Sequence, residues 1–378
     1  MEISRSHVEA YLTRLLGNNV QVLSLESLMD SQGASATEDD ASQQTRRKSS
    51  SQPLKTYGYG QPLLVCYQVA GDERRAVLRT IKPNPFGYEC RADRAADILS
   101  AYDTFNHLSR HTRALDIGVL TSDLHLRSLS LDDRDESFML TNYVEGEPYA
   151  WNLQRLYNTG QLTDLDIRRA QCLAEYLAEI HAVKHDNPPL YRRRVRDLIG
   201  GGQGIMGLID NYPPGFSLID VDRLEQFEQT CVSWRWRLKE RTHRLSQVHG
   251  DFHRFNVLFG DDVDLGLIDR RGGEWGEPGD DVSSMTIDYL LFSLQRSEML
   301  APPFETLWKT FWDIYLDLTC DQEVLTVVAP FFAWRALVLA SPVWTKISDA
   351  VRKALFQFIE NVLREDAFDP ARVNDYIR

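Results

Sequence analysis

Cysteine is scarce in this chain, with five in 378 residues. Cys66, Cys90, Cys172, Cys231 and Cys320 include no C-x-x-C pair. That excludes a cysteine zinc cluster and argues against a disulfide framework, so a reducing, cytoplasmic setting is expected. Basic charge is short as well. Lys and Arg number 42 against 55 Asp and Glu, a formal net charge of −13, whereas a nucleic-acid binder carries a basic footprint. The amino terminus, MEISRSHVEAYLTRLLG, mixes acids and bases where an export signal needs an apolar core. The most apolar stretch, residues 324–344, is interrupted by Pro330, Arg335 and Pro342. It reads as a buried helix pair and not as a membrane span. No nucleic acid, no membrane and no obligate protein partner is expected.

What is present alternates between two textures. Apolar positions recur at helical spacing over 5–16, and 20–28 reads as a strand. Residues 30–52 are dominated by Ser, Gln, Thr, Asp and Glu, a composition with nothing to bury, and are read as a disordered insertion. Two β-rich runs, 57–71 and 74–82, meet at an AGDE turn and predict a hairpin. A helix over 88–108 and strands over 114–120 and 137–144 follow. Beyond Gly146 the pattern turns helical, at 163–184, 222–246, 282–296, 303–319, 323–341 and 346–363, with one short hairpin at 256–269. A chain of 378 residues exceeds what one core usually holds. The expected fold class is α+β: a small antiparallel β lobe with one long helix, residues 1–143, and a larger mostly helical lobe, residues 144–378.

The chemistry concentrates in HGDFHRFNVLF, residues 249–259, followed by GDDVDLGLID to residue 269. VLF and LGLI are short apolar strands around a turn, and antiparallel pairing brings Asn256 beside Asp269. A carboxylate and an amide oxygen suit a hard cation such as Mg²⁺, which completes its shell with phosphate and water. Asp251 is then left to orient or deprotonate a hydroxyl. This D-x-x-x-x-N pattern followed by a strand-borne Asp is the layout of kinase-type phosphoryl transfer.

These residues resemble the aminoglycoside phosphotransferase and choline kinase family, whose members share a two-lobed protein-kinase-like fold. The resemblance implies that Asp251 is the catalytic aspartate and that Asn256 and Asp269 hold Mg²⁺. EPGDDVSSM resembles the family's downstream stretch, in which an Asp opens a helix. Asp281 fits that place as a support of the catalytic loop, with Glu277 toward the substrate side, and His249 is expected to brace the loop. A glycine-bearing hairpin over the phosphates would use Gly58 and Gly60. Arg79 stands where a phosphate-binding lysine is expected, with Lys82 the alternative, and Glu89 or Asp93 is its acidic partner. The segment Asn142, Tyr143 and Val144 would carry the adenine through backbone groups. The implied activity moves the γ-phosphate of ATP, or of GTP, to a hydroxyl of a small molecule.

Two rival readings come from the same residues. Arg79 in the lysine place and the departure DRRGG after Asp269 would suit a pseudokinase, a nucleotide-binding scaffold that transfers nothing. GQGIMG, residues 202–207, matches a dinucleotide-binding pattern, but neither a buried strand before it nor a long helix after it is expected. WRWRLKERTHRL, residues 234–245, reads as an amphipathic helix with snorkelling bases. His249 and His253 have no third ligand at zinc spacing.

Overall fold

The computed structural model describes residues 3–28, 62–83, 88, 91–121, 126–127 and 136–378. Gly58, Gly60, Glu89 and the 30–52 segment lie outside the described residues. The chain divides into two units, one drawn from Met1–Pro83 and Arg113–Tyr143, the other from Asn84–Thr112 and Val144–Arg378.

The first unit holds α1 (Arg5–Leu16), β1 (Val20–Ser27), β2 (Leu63–Val69), β3 (Asp72–Thr80), β4 (Ala114–Leu120), β5 (Leu126–Arg127) and β6 (Glu136–Asn142). Its described strands form one antiparallel sheet in the order β1-β2-β3-β6-β4-β5. The β2–β3 hairpin closes between Val69 and Asp72, with Ala70 and Gly71 at φ 52° and 91°. Positive φ at both central positions matches the right-handed twist of the flanking strands. Alternation buries Val65, Tyr67 and Val69, which pack with Val8, Tyr11 and Leu12 of α1. Tyr11 meets Phe138 edge-on at 5.1 Å and donates its hydroxyl to Asp116 at 2.6 Å.

The second unit begins with α2 (Arg91–Phe105), β7 (Glu147–Pro148), α3 (Tyr149–Thr159), α4 (Asp164–His181), α5 (Pro188–Gly200), α6 (Ile205–Asp210) and α7 (Val221–Leu238). After β8 (Ser246–Gln247), β9 (Val257–Phe259), β10 (Leu265–Leu267) and β11 (Trp275–Gly276) come α8 (Pro278–Ser297), α9 (Phe304–Thr319), α10 (Ala329–Ala340), α11 (Asp349–Arg364) and α12 (Val373–Tyr376). The mixed α+β class expected from the sequence is present. The long helix α2, placed above in residues 1–143, belongs to this second unit. Polar contacts explain why: Arg270 Nη1 donates to Thr104 O at 2.7 Å, and His107 meets Glu274 at 2.7 Å.

Several boundaries differ from the sequence reading. The helix expected over 222–246 ends at Leu238, and the one expected from 323 starts at Ala329. The sequence reading did not foresee α3 or α5. In α5, Tyr191, Val195 and Ile199 are buried at four-residue spacing amid four arginines, so the apolar stripe is narrow. GQGIMG spans the end of the turn after α5 and the first three residues of the short α6, and the element before it is a helix and not a strand.

Helix α8 is the centre of this unit, with nearly every side chain from Pro278 to Leu294 buried. Around it α9, α10, α11 and the segment after α11 contribute an aromatic cluster. Phe332 lies 4.8 Å from Phe368, 5.4 Å from Phe358 and 6.3 Å from Trp308 by ring centroids. Phe332→Ala is expected to destabilise the helical unit by about 3–5 kcal/mol, read from the shift of its urea transition.

Candidate active site

The expected hairpin is β9–β10, in the register Leu265↔Phe259, Gly266↔Leu258 and Leu267↔Val257. Ile268 N donates to Asn256 O at 3.0 Å, extending the ladder by one pair. Asn256 therefore stands opposite Ile268, one residue short of the expected pairing with Asp269. Its side chain closes the gap. Nδ2 donates to Asp251 O at 2.9 Å, to Asp251 Oδ2 at 3.2 Å and to Asp269 O at 3.4 Å. Asn256 thus ties the two aspartates together, and its amide orientation is fixed by three oxygen acceptors.

That orientation bears on a metal. With Nδ2 committed to oxygens, Oδ1 is the face of the amide left to meet a cation as a hard donor. Asp269 itself has φ 59°, a left-handed backbone that Asp tolerates better than most residues. Among the described residues no group of three or more His, Cys, Asp or Glu could hold a metal ion. A pair of oxygen ligands fits Mg²⁺, which keeps waters and phosphate in its shell, and does not fit zinc.

The loop before the hairpin is fastened from beneath by α8. Asp281 accepts from His249 N at 2.7 Å and from Gly250 N at 2.8 Å. His181 Nε2 reaches the same carboxylate at 3.2 Å, while His181 Nδ1 meets Tyr315 Oη at 2.8 Å. Burial alone would raise the Asp281 carboxyl, but the His181 contact and the amides hold it below the usual range. Two turns further along α8, Asp288 accepts from Arg254 N at 3.0 Å and pairs with the Arg254 guanidinium. Gly250 has φ +82°, and a Cβ there would stand 2.2 Å from Arg271 O.

His249 is buried, and its Nδ1 accepts from Asp251 N at 3.3 Å. The proton of the neutral ring therefore sits on Nε2, which is buried with no hydrogen-bond partner among the described residues. Burial pulls its pKa down to about 4. Asp251 shows the opposite balance. Burial would raise its carboxyl, but His253, Arg335 and Arg271 hold it well below the usual range. Arg335 Nη1 donates to Asp251 Oδ1 at 2.7 Å, and His253 Nε2 lies 3.5 Å from Oδ2.

Other expected residues have different neighbours. Glu277 is buried at 2% exposure, capped against Gly279 N at 3.4 Å. It is taken up by Arg244 at 2.7 Å and by the Tyr191 hydroxyl at 2.7 Å. It stands at the wall of a cavity of about 520 Å³ that Gly250, Asp280, Arg271, Trp334, Asp93 and Asp97 also line. Arg270 donates to the Val248 and Thr104 carbonyls, and Arg271 donates to Gln203 beside the Trp334 ring.

Arg79 and Asp93 fall in different units. Arg79 is drawn down to about 10 by burial. Asn142 N donates to Arg113 O at 2.9 Å, the Tyr143 ring lies 4.3 Å from the Arg75 guanidinium, and Val144 packs over Gly266. Sequence reasoning missed Asp280, Asp288, Arg254 and Arg335. Arg335 left one signal, a lone charge inside the apolar run of α10.

Two outcomes test this framework. Gly250→Ala is expected to cost about 1–3 kcal/mol of stability through its left-handed backbone, read by denaturant titration. His249 is neutral when buried and protonates near 6.5 when unfolded, so its contribution is present above pH 6.5 and lost as pH falls to about 4. Melting temperatures across that window should fall for the parent chain and fall less steeply for His249→Gln.

A family model described as the phosphotransferase enzyme family matches residues 66–308. No curated protein sequence matches the chain. Among solved structures, the aminoglycoside phosphotransferase APH(3'')-Id from Streptomyces rimosus, solved with ADP and streptomycin, is 14% identical with a TM-score of 0.41, covering 71% of this chain and 90% of that one. An ethanolamine kinase from Plasmodium vivax is 12% identical with a TM-score of 0.45, covering 84% of this chain and 78% of that one. The aminoglycoside phosphotransferase APH(4)-Ia is 16% identical with a TM-score of 0.43, covering 99% and 97%. The matched region runs from within β2 into α9 and takes in the whole loop, hairpin and α8 arrangement described above, and the chain belongs to the phosphotransferase enzyme family.

Proposed function

We propose that this phosphotransferase moves the γ-phosphoryl group of ATP, with GTP as the alternative donor, to a hydroxyl of a small molecule, with Mg²⁺ as its metal. The observation that carries the reading is the Asn256 amide, which hydrogen-bonds Asp251 and the backbone of Asp269 at once. Membership in the family supports the reaction class.

In this reading Asp251 accepts the hydrogen bond of the attacking hydroxyl. Its carboxylate is ionised and weakly basic, held so by His253 and Arg335. It therefore aligns the nucleophile and takes the proton late, which suits a loose phosphoryl transition state that asks little of a base. Asn256 Oδ1 and the Asp269 carboxylate would hold Mg²⁺, which supplies charge neutralisation on the phosphates. Asp281 and Asp288 keep the loop in place, so the acceptor geometry is set before substrate arrives. Free thiols at Cys66, Cys172, Cys231 and Cys320 support a cytoplasmic setting.

A pseudokinase reading has one observation in its favour, the half-buried Arg79 where a lysine is expected. Arg is longer and planar, so it meets phosphate oxygens differently. Incubation with γ-labelled ATP, Mg²⁺ and a pooled metabolite extract separates the two. The parent chain should form a labelled product, Asp269→Ala should form almost none, and Asp251→Asn should be slower by about 10²–10⁴ while keeping its fold. Nucleotide binding without any transfer by the parent chain would establish the scaffold instead.

A further inference from the structure

Helix α10 reads APFFAWRALVLA, and Arg335 is the one charged residue in it. A guanidinium among apolar neighbours is costly to desolvate unless it is fully paired. Arg335 is 8% exposed, and its Nε is buried with no hydrogen-bond partner among the described residues. Its two terminal nitrogens are both engaged. Nη1 donates to Asp251 Oδ1 at 2.7 Å, across 84 positions of sequence, and Nη2 donates to Asp280 Oδ1 at 2.9 Å. The adjacent Trp334 ring lies 4.1 Å from the guanidinium carbon and limits where it can turn. Arg335 thus bridges the loop that carries Asp251 to the first turn of α8.

We propose that Arg335 is a positioning residue for phosphoryl transfer: anchored on Asp280 and flanked by Trp334, it fixes the Asp251 carboxylate in the one orientation that receives the acceptor hydroxyl. This rests on the reading of Asp251 given under Proposed function. The division of the two oxygens follows from it. Oδ1 is taken by Arg335, so Oδ2, which faces Asn256 at 3.2 Å and His253 at 3.5 Å, is the oxygen nearer the proposed metal ligands. Without Arg335 the carboxylate is held on Oδ2 alone, by Asn256 and His253, and loses its second point of attachment against rotation about χ2, a torsion that is broad for Asp. Asp280 also lines the 520 Å³ cavity, so the far end of the bridge is exposed to whatever occupies that space. The proposal gives the bridge one task, the orientation of the Asp251 carboxylate, so its removal should leave nucleotide binding intact.

The bland alternative is that Arg335 only ties α10 to α8. Steady-state MgATP turnover with water as acceptor separates the two, run on the parent chain, Arg335→Lys, Arg335→Gln, Arg335→Ala and Asp280→Asn. ADP affinity and melting temperature are measured alongside. Positioning predicts that kcat falls by about 10²-fold in Arg335→Gln and Arg335→Ala, since a misplacement of about 1 Å costs that much. KM for MgATP and ADP affinity should stay within a few-fold of the parent. Asp280→Asn should fall between them, and millimolar guanidinium should restore part of the turnover of Arg335→Ala but none of that of Asp251→Asn. If Arg335→Ala does not fold, Arg335→Lys and Asp280→Asn carry the test, because each keeps part of the bridge.

An unchanged kcat in the folded Arg335 variants overturns the proposal while leaving the phosphotransfer reading intact. So does a fall in kcat matched by equal losses of ADP affinity and melting temperature without guanidinium rescue. No turnover by the parent chain, with Asp251→Asn indistinguishable from it, overturns the reading itself and the proposal with it.

Discussion

Everything at the site hangs on one buried carboxylate. Asp281 receives the amides of His249 and Gly250, and His181 behind it is itself held by Tyr315. Two backbone donors on one ionised acceptor make charge-assisted bonds, stronger than neutral ones and strict about direction. They fix where the loop leaves the strand before it, and therefore where Asp251 points. The hairpin then adds the second constraint. Its short strands have little to pack, but their register places Asn256 so that its amide meets Asp251 and Asp269. Loop and hairpin are thus positioned by different elements, and the Asn256 side chain joins them.

The charges around Asp251 are arranged with restraint. Burial would push its carboxyl toward neutrality, and cations on two sides reverse that. Asp280, one residue before Asp281, goes the other way: burial, with the charges of Asp281 and Asp251 beside it, lifts it to about 6 despite Arg335. Adjacent residues on one helix therefore differ in acidity because one faces amides and a histidine while the other shares an arginine. Such separation between neighbouring carboxyls is set by surroundings, not by residue type.

Much of this was legible in the sequence. The D-x-x-x-x-N spacing, the hairpin and the Asp that opens α8 were all visible as pattern, because turn chemistry and short apolar strands leave local marks. The helices α3 and α5 were not. Helix α3 is short and has no side-chain N-cap, and the apolar stripe of α5 is narrow amid four arginines, so burial against other elements decided them. Arg335 and Asp288 escaped for a different reason. Each acts on a loop far away in sequence, and only the packing of α8 and α10 brings them there. Glu277 stands out in the sequence just before the start of α8, yet nothing local announces that Arg244 and Tyr191 will claim its carboxylate.

The two hooks on α8 have a consequence for what variation the chain can absorb. Asp281 and Asp288 are seven positions apart, about 10.5 Å along the axis and close to two full turns. They hold His249 and Gly250 at one end of the loop and Arg254 at the other. One residue inserted or deleted between them would swing Asp288 by about 100° and out of reach. Burial already limits the size of the side chains along that stretch of helix, and the two hooks add a limit that packing alone does not set: its length cannot drift. A change of length that preserves the site has to fall outside that stretch of α8.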